Sequence, residues 1–152
     1  MDVAYVNPFI NSTIDTFKMM IMTEIQPGKA MLKSEPYPNY DVSGIIGLSG
    51  NAQGSIAISF PKITALKTVS KMLGMQIKVV GPELSDGIGE IANIIAGNAK
   101  QHLEKYKLSI SLPNVVIGRQ HVLASQKGIP TILVPFASEL GQFGMEVALK
   151  TE

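Results

Sequence analysis

The sequence predicts an α/β protein of the α+β type, in which helices pack on one mostly antiparallel sheet. Three observations predict it. Two long segments and one short one space their apolar residues by three and four, as buried helix faces do. Two pairs of apolar runs are each interrupted by a Gly-containing turn, as hairpins are. A helix followed by a hairpin occurs once in each half, a weak duplication of architecture without clear sequence identity between the halves.

From Asn7 to about Ile25, the residues Phe9, Ile10, Ile14, Phe17, Ile21 and Ile25 recur at helical spacing, and Pro8 suits a first turn. Pro27-Gly28 is expected to end this helix. A Pro-rich connection from Ser34 to Asn39 leads into an apolar run, Val42 to Leu48, which breaks at Ser49-Gly50-Asn51 before Ile56 to Phe60. This is the first hairpin. Pro61 opens a short helix that Gly74 closes. After an extended stretch, Ile77 to Val80, Pro82 starts a helix expected to reach about Tyr106. Leu108 to Ile117 is extended and broken by Pro113. Ile129 to Ala137 and Phe143 to Leu149 form the second hairpin around Glu139-Leu140-Gly141.

The 152 residues are enough for one good core and too few for two ordinary domains, so a single domain over 1–152 is expected. Hydrophobic residues make up 45% and charged residues 16%, with polar positions interrupting the apolar ones throughout, which is a globular composition. No apolar run approaches the length that crosses a bilayer. The start of the chain has no basic residues before Asn7-Pro8, so a secretory signal is not expected, and a cytoplasmic location is. The absence of cysteine removes disulfides, thiolate nucleophiles and cysteine metal ligands. A net charge of +1 with no basic run argues against a nucleic-acid partner.

The helix from Pro82 carries the chemistry. At about 100° per residue, Asp86, Glu90, Asn93 and Gly97 fall in a sector roughly 60° wide. Leu84, Ile88, Ile91, Ile95 and Ala99 lie opposite and should face the sheet, which turns the polar stripe outward. Any amphipathic helix has a polar face. Here, however, Gly87, Gly89 and Gly97 interrupt the helix although each costs about 1 kcal/mol relative to alanine. They imply close approach, either of a partner surface or of another helix of the same chain.

The run Ser85-Asp86-Gly87-Ile88-Gly89-Glu90-Ile91-Ala92-Asn93-Ile94-Ile95-Ala96-Gly97-Asn98-Ala99-Lys100 resembles the signature of the CheC/CheX/FliY phosphatases of bacterial chemotaxis. Its core is Asp or Ser, three residues, Glu, two residues, Asn. The opening Asn7-Pro8-Phe9-Ile10 and the segment Ser43 to Gly50 extend the likeness over most of the chain, and length and element order agree with the CheX type in particular. The resemblance implies a CheC-like fold and hydrolysis of the aspartyl phosphate on a CheY-like response regulator. It implies that Asn93 holds a water in line with phosphorus and that Glu90 pairs with a lysine of the regulator's active site, as catalytic residues. Asp86, Gly89, Gly97 and Lys100 are expected at the partner contact, although for Asp86, near the helix start, an interaction with the helix macrodipole is the favoured role. The Mg²⁺ is expected in the partner's active site, with no cofactor or metal on this chain. The first helix offers only Asp15 followed by Lys18, so one site is expected rather than two.

CheX relatives are homodimers that join their sheets, and Ile129 to Val134 and Met145 to Leu149 are candidates for the joining edges, or else ordinary core strands. His102 and His121 lack a metal-ligand spacing, and His102 is expected on the apolar side of the long helix in a structural role. The glycine-rich Gly47 to Gly54 lacks the features of a nucleotide loop and reads as turn chemistry. Met19, Met20, Met22 and Met31 are expected to fill core or a dimer contact. Two further readings stand beside the phosphatase: a docking module of the same fold that hydrolyses nothing, and a small-molecule hydrolase using Asp86 and Glu90, which would require a deep pocket.

Overall fold

The computed structural model describes residues 4–33, 38–123 and 128–151. Among the described residues three α-helices lie on an eight-stranded sheet: α1 (Val6–Met20), α2 (Lys62–Leu73) and α3 (Pro82–Lys100). The strands are β1 (Ile25–Pro27), β2 (Met31–Leu32), β3 (Pro38–Ser49), β4 (Ala52–Phe60), β5 (Ser109–Ile110), β6 (Asn114–Val122), β7 (Thr131–Ser138) and β8 (Phe143–Thr151). The sheet runs β1-β7-β8-β4-β3-β5, with β2 also on β7 and β6 also on β3, and every pairing is antiparallel.

The two halves interlock. Each supplies a helix, two leading strands and a hairpin: α1, β1, β2 and β3–β4 in the first, α3, β5, β6 and β7–β8 in the second. The leading strands of each half pair with the hairpin of the other, β1 and β2 on β7, β5 and β6 on β3, while the hairpins meet through β4 and β8. The duplication expected from the element order is thus expressed as an exchange of strands.

Strand alternation sends Val42, Ile46, Ile56, Ile58 and Phe60 to the helix side, where all are buried. Phe17 of α1 stacks on Phe143 with centroids 4.8 Å apart, and Phe60 and Phe136 each lie 5.1 Å from the same ring. The long helix α3 lies between α1 and α2 and over β3. Ser12 of α1 donates to the Ile95 carbonyl at 2.7 Å. Small residues set the spacing on the other sides: a Cβ on Gly44 would stand 3.0 Å from that of Ala92, and one on Gly87 only 2.6 Å from Cγ1 of Val69 in α2.

Both hairpins and the short helix stand where the sequence places them. The ends of the long helices do not. α1 stops at Met20, not near Ile25; Met22 takes a left-handed φ of 53° and the Thr23 N–H bonds back to the Phe17 carbonyl. Ile25 keeps its buried position but as the first residue of β1. α3 stops at Lys100, and a 3₁₀ turn over Glu104–Tyr106 follows, closed by Lys107 at φ 47°. No glycine marks either departure, so the sequence carries no stop signal, whereas α2 ends at left-handed Gly74. Ile77 to Val80 joins no strand. The segment 34–37 of the Pro-rich connection lies outside the described residues.

The segments considered as joining edges, Ile129 to Val134 and Met145 to Leu149, belong instead to interior strands, the first from Thr131 onward. β8 is paired on both sides by β7 and β4, and β7 by β8 and the leading strands of the first half. No helix among the described residues is long and apolar enough to cross a membrane.

Gly87→Ala is expected to lower stability by about 1 kcal/mol or more, because overpacking against Val69 outweighs the helix propensity gained. Urea unfolding measures it, and a variant as stable as wild type would show that α2 yields without cost.

Candidate functional site

Leu84, Ile88, Ile91, Ile95 and Ala99, the predicted inner stripe of α3, are all fully buried. The helix cannot rotate without pulling them from the core. Its opposite face therefore presents Asp86 and Glu90, both exposed, with Asn93 and Gly97 half-buried and Lys100 exposed at the last turn. Asn93 stands three residues after Glu90, close to one turn and about 4.5 Å along the axis. Among the described residues no hydrogen bond or ion pair engages the side chains of Asp86, Glu90 or Asn93. They face solvent with their donors and acceptors uncommitted.

An open groove of about 460 Å³ runs along this stripe. Ser85, Asp86, Gly89, Glu90 and Asn93 form one side, and Leu112, Pro113 and Val115 form the other. Gly89 is buried in its floor, and a Cβ there would sit 3.4 Å from Pro113 and 3.5 Å from Val115. Contact with Val69 of α2 thus accounts for Gly87, whereas an added methyl at Gly89 would meet the segment entering β6 at ordinary van der Waals distance. Gly97 is different: nothing stands within 4 Å of its added Cβ.

The wall of the groove was not legible in the sequence, which shows Leu108 to Ile117 only as an extended segment broken at Pro113. Its position depends on pairing with a strand more than sixty residues earlier. Ser111 donates its N–H to the Gly47 carbonyl at 2.9 Å and its Oγ accepts the Gly47 N–H at 2.8 Å. Oγ also donates to the Leu112 carbonyl at 2.8 Å. Leu112 is consequently held with its side chain 85% exposed beside Glu90 and Asn93.

The histidines lie elsewhere. His102 is exposed in the turn after α3, not on its apolar side, because the helix ends two residues earlier and Leu103 takes the buried place. His121 bonds through Nε2 to Ser43 Oγ at 2.6 Å and through Nδ1 to the Gly118 carbonyl at 2.9 Å. Since Gly44 faces α3, alternation along β3 puts Ser43 on the far side of the sheet from the stripe. Lys33 and Glu146 form an ion pair at 2.7 Å that is almost wholly buried at the lysine. The exposed methionines Met19 and Met22 do not fill core, whereas Met20 is partly buried against it.

An interlocked antiparallel sheet beneath a central helix that exposes Asp-x3-Glu-x2-Asn defines a protein of the CheC-like class. The family model described as chemotaxis phosphatase CheX matches residues 42–137. The CheY-P phosphatase CheX of Thermotoga maritima is 31% identical over 155 residues, covering 99% of each chain. A CheC-like superfamily protein from Shewanella sp. PV-4 superposes with a TM-score of 0.92 at 34% identity, over 99% of both chains. In a CheX-CheY-BeF3-Mg²⁺ complex from Borrelia burgdorferi, the matching chain is 28% identical with a TM-score of 0.84, over 98% of this chain and 99% of that one. The chain belongs to the CheX family of chemotaxis phosphatases.

Gly97→Ala is expected to raise stability by up to about 1 kcal/mol, since its methyl meets open space and alanine is the better helix former. A loss in urea or thermal unfolding would show that the fold itself requires this glycine.

Proposed function

We propose that this chain is a phosphoaspartate phosphatase that dephosphorylates a CheY-like response regulator in chemotaxis or a related two-component pathway. The observation that carries the reading is the pair Glu90 and Asn93, uncommitted and one turn apart on a helix that its neighbours hold rigid. Hydrolysis of an acyl phosphate needs a water aligned opposite the aspartyl oxygen that leaves, and it yields a free carboxylate and inorganic phosphate. Asn93 is too weak a base to deprotonate that water, but its amide carbonyl accepts a hydrogen bond from it and so fixes its direction of attack. Glu90 accepts hydrogen bonds only and reaches across the interface to the regulator's active-site lysine, setting the register of the two proteins.

Positioning and charge stabilisation supply most of the acceleration in phosphoryl transfer. The regulator brings the phosphoryl group, the Mg²⁺ and the lysine, so the phosphatase needs to add two side chains and no metal of its own. The CheY and Mg²⁺ of the Borrelia complex accord with this division. An open groove floored by a glycine suits a protein surface better than a small molecule, which disfavours an Asp86–Glu90 acid/base pair enclosing a metabolite. Asp86 and Lys100 flank the reacting pair and Gly97 leaves room beside it, so these contact the regulator at the margin. The single domain is cytoplasmic, as its substrate class requires. A homodimer by sheet extension would use the outer strands β1, β2, β5 or β6, which remain paired on one side only among the described residues.

Decay of a phosphorylated CheY-like receiver with Mg²⁺ tests the reading. Wild type is expected to accelerate it. Asn93→Ala should keep its fold and lose about 100-fold or more in kcat. Glu90→Ala should raise the half-saturating receiver concentration about tenfold or more. Binding without acceleration across the organism's receivers would leave a docking module, and unfolding of either variant would mean that these are core positions.

A further inference from the structure

We infer that Leu112 is an apolar docking anchor for the phosphorylated receiver, supplied from outside the helix that carries Glu90 and Asn93. The inference rests on the phosphatase reading, because the occupant is the body that must enter the groove to bring phosphorus to Asn93. Leu112 lines that same groove from the opposite wall. A receiver that reaches Asn93 must therefore pass over or against it.

Leucine at 85% exposure contributes almost nothing to this fold. Yet the backbone on both sides of it is immobilised. Before it, Ser111 exchanges two hydrogen bonds with Gly47 in β3 and its hydroxyl holds the Leu112 carbonyl. After it, Pro113 fixes its own φ and packs beside α3 at Gly89. The backbone here loses little freedom on binding, so the ordering cost of burying this apolar area is confined to the leucine's own rotamers. Leu112 and the Glu90–Asn93 pair divide the work between them. The polar pair aligns the reaction, and the leucine, opposite, projects from the apolar wall and gives the encounter a dry contact.

The other exposed apolar side chains differ in setting. Met19 and Met22, at the end of α1, are as exposed but line no part of this groove. They provide a matched control.

The experiment is steady-state phosphate release from a CheY-type receiver rephosphorylated by acetyl phosphate with Mg²⁺, at varied receiver concentration, for wild type, Leu112→Ala, Leu112→Asp and Met19→Ala. Leu112→Ala is expected to raise the half-saturating concentration about tenfold with kcat within about twofold, and Leu112→Asp to raise it further. Met19→Ala should behave as wild type, and the unfolding midpoints of all variants should coincide. Unchanged half-saturation in both Leu112 variants, alongside an active wild type, overturns the anchor and leaves the phosphatase standing. A fall in kcat alone, or a lowered unfolding midpoint in both Leu112 variants, also overturns it by assigning Leu112 to positioning or to the fold. An inactive wild type overturns the phosphatase reading itself, and the anchor with it.

Discussion

The close seating of α3 is the constraint on which the rest of the structure depends. On the sheet side Ala92 meets Gly44, on the α2 side Gly87 meets Val69, and beside β6 Gly89 meets Pro113. At Gly44 and Gly87 one added methyl group would have to displace a neighbour or press firmly upon it, while at Gly89 it would come into ordinary van der Waals contact. A helix packed in this way has no slack for rotation or sliding, because protein interiors are as dense as organic crystals. The cost is glycine inside a nineteen-residue helix, where Gly87 and Gly89 each weaken local helix propensity, and Gly44 in the strand beneath it, which gives up a side chain. In return the outward residues stand in one fixed geometry, as required of a site that works by aligning a water molecule.

The interlocked halves explain how that precision is distributed. Because the leading strands of each half pair with the other's hairpin, β3 is fixed on one side by β4 and on the other by strands that follow α3 in sequence. The same β3 lies under α3 through Gly44 and anchors Ser111 through Gly47. One strand thus sets both the height of the helix and the position of the groove's opposite wall. The first half has the equivalent helix, α1, but its outer face offers Asp15 and Lys18 without the Glu and Asn spacing. The duplicated architecture carries one candidate site because only one copy has the side chains for it.

An exposed site brings its own physical problem. Carboxylate and amide groups that remain in contact with water interact weakly through a high dielectric. Under the proposed reading, the partner excludes that water when it docks, and it brings the strongest charges with it. The protein has then only to be rigid, complementary and correctly spaced. An enclosed pocket would defeat that arrangement, and the open groove beside α3 accommodates it.

Local pattern was enough for the layout: two hairpins, the short helix ended by Gly74, and the outward stripe of Asp86, Glu90 and Asn93. Those features are local, since period, turn residues and helical phase act over a few neighbouring positions. Its readings failed where the local signal was missing, at the ends of α1 and α3, which no glycine marks, and at the short strands β1 and β2, which exist only because β7 pairs with them. Nor did it separate Gly87 and Gly89, filled against by Val69 and Pro113, from Gly97, which faces open space. The tertiary structure alone decided which strands are interior and which lie at the edges. It alone placed Leu112 opposite Glu90. Both outcomes depend on contacts between residues far apart in the chain, and no local pattern encodes which distant strand will meet which.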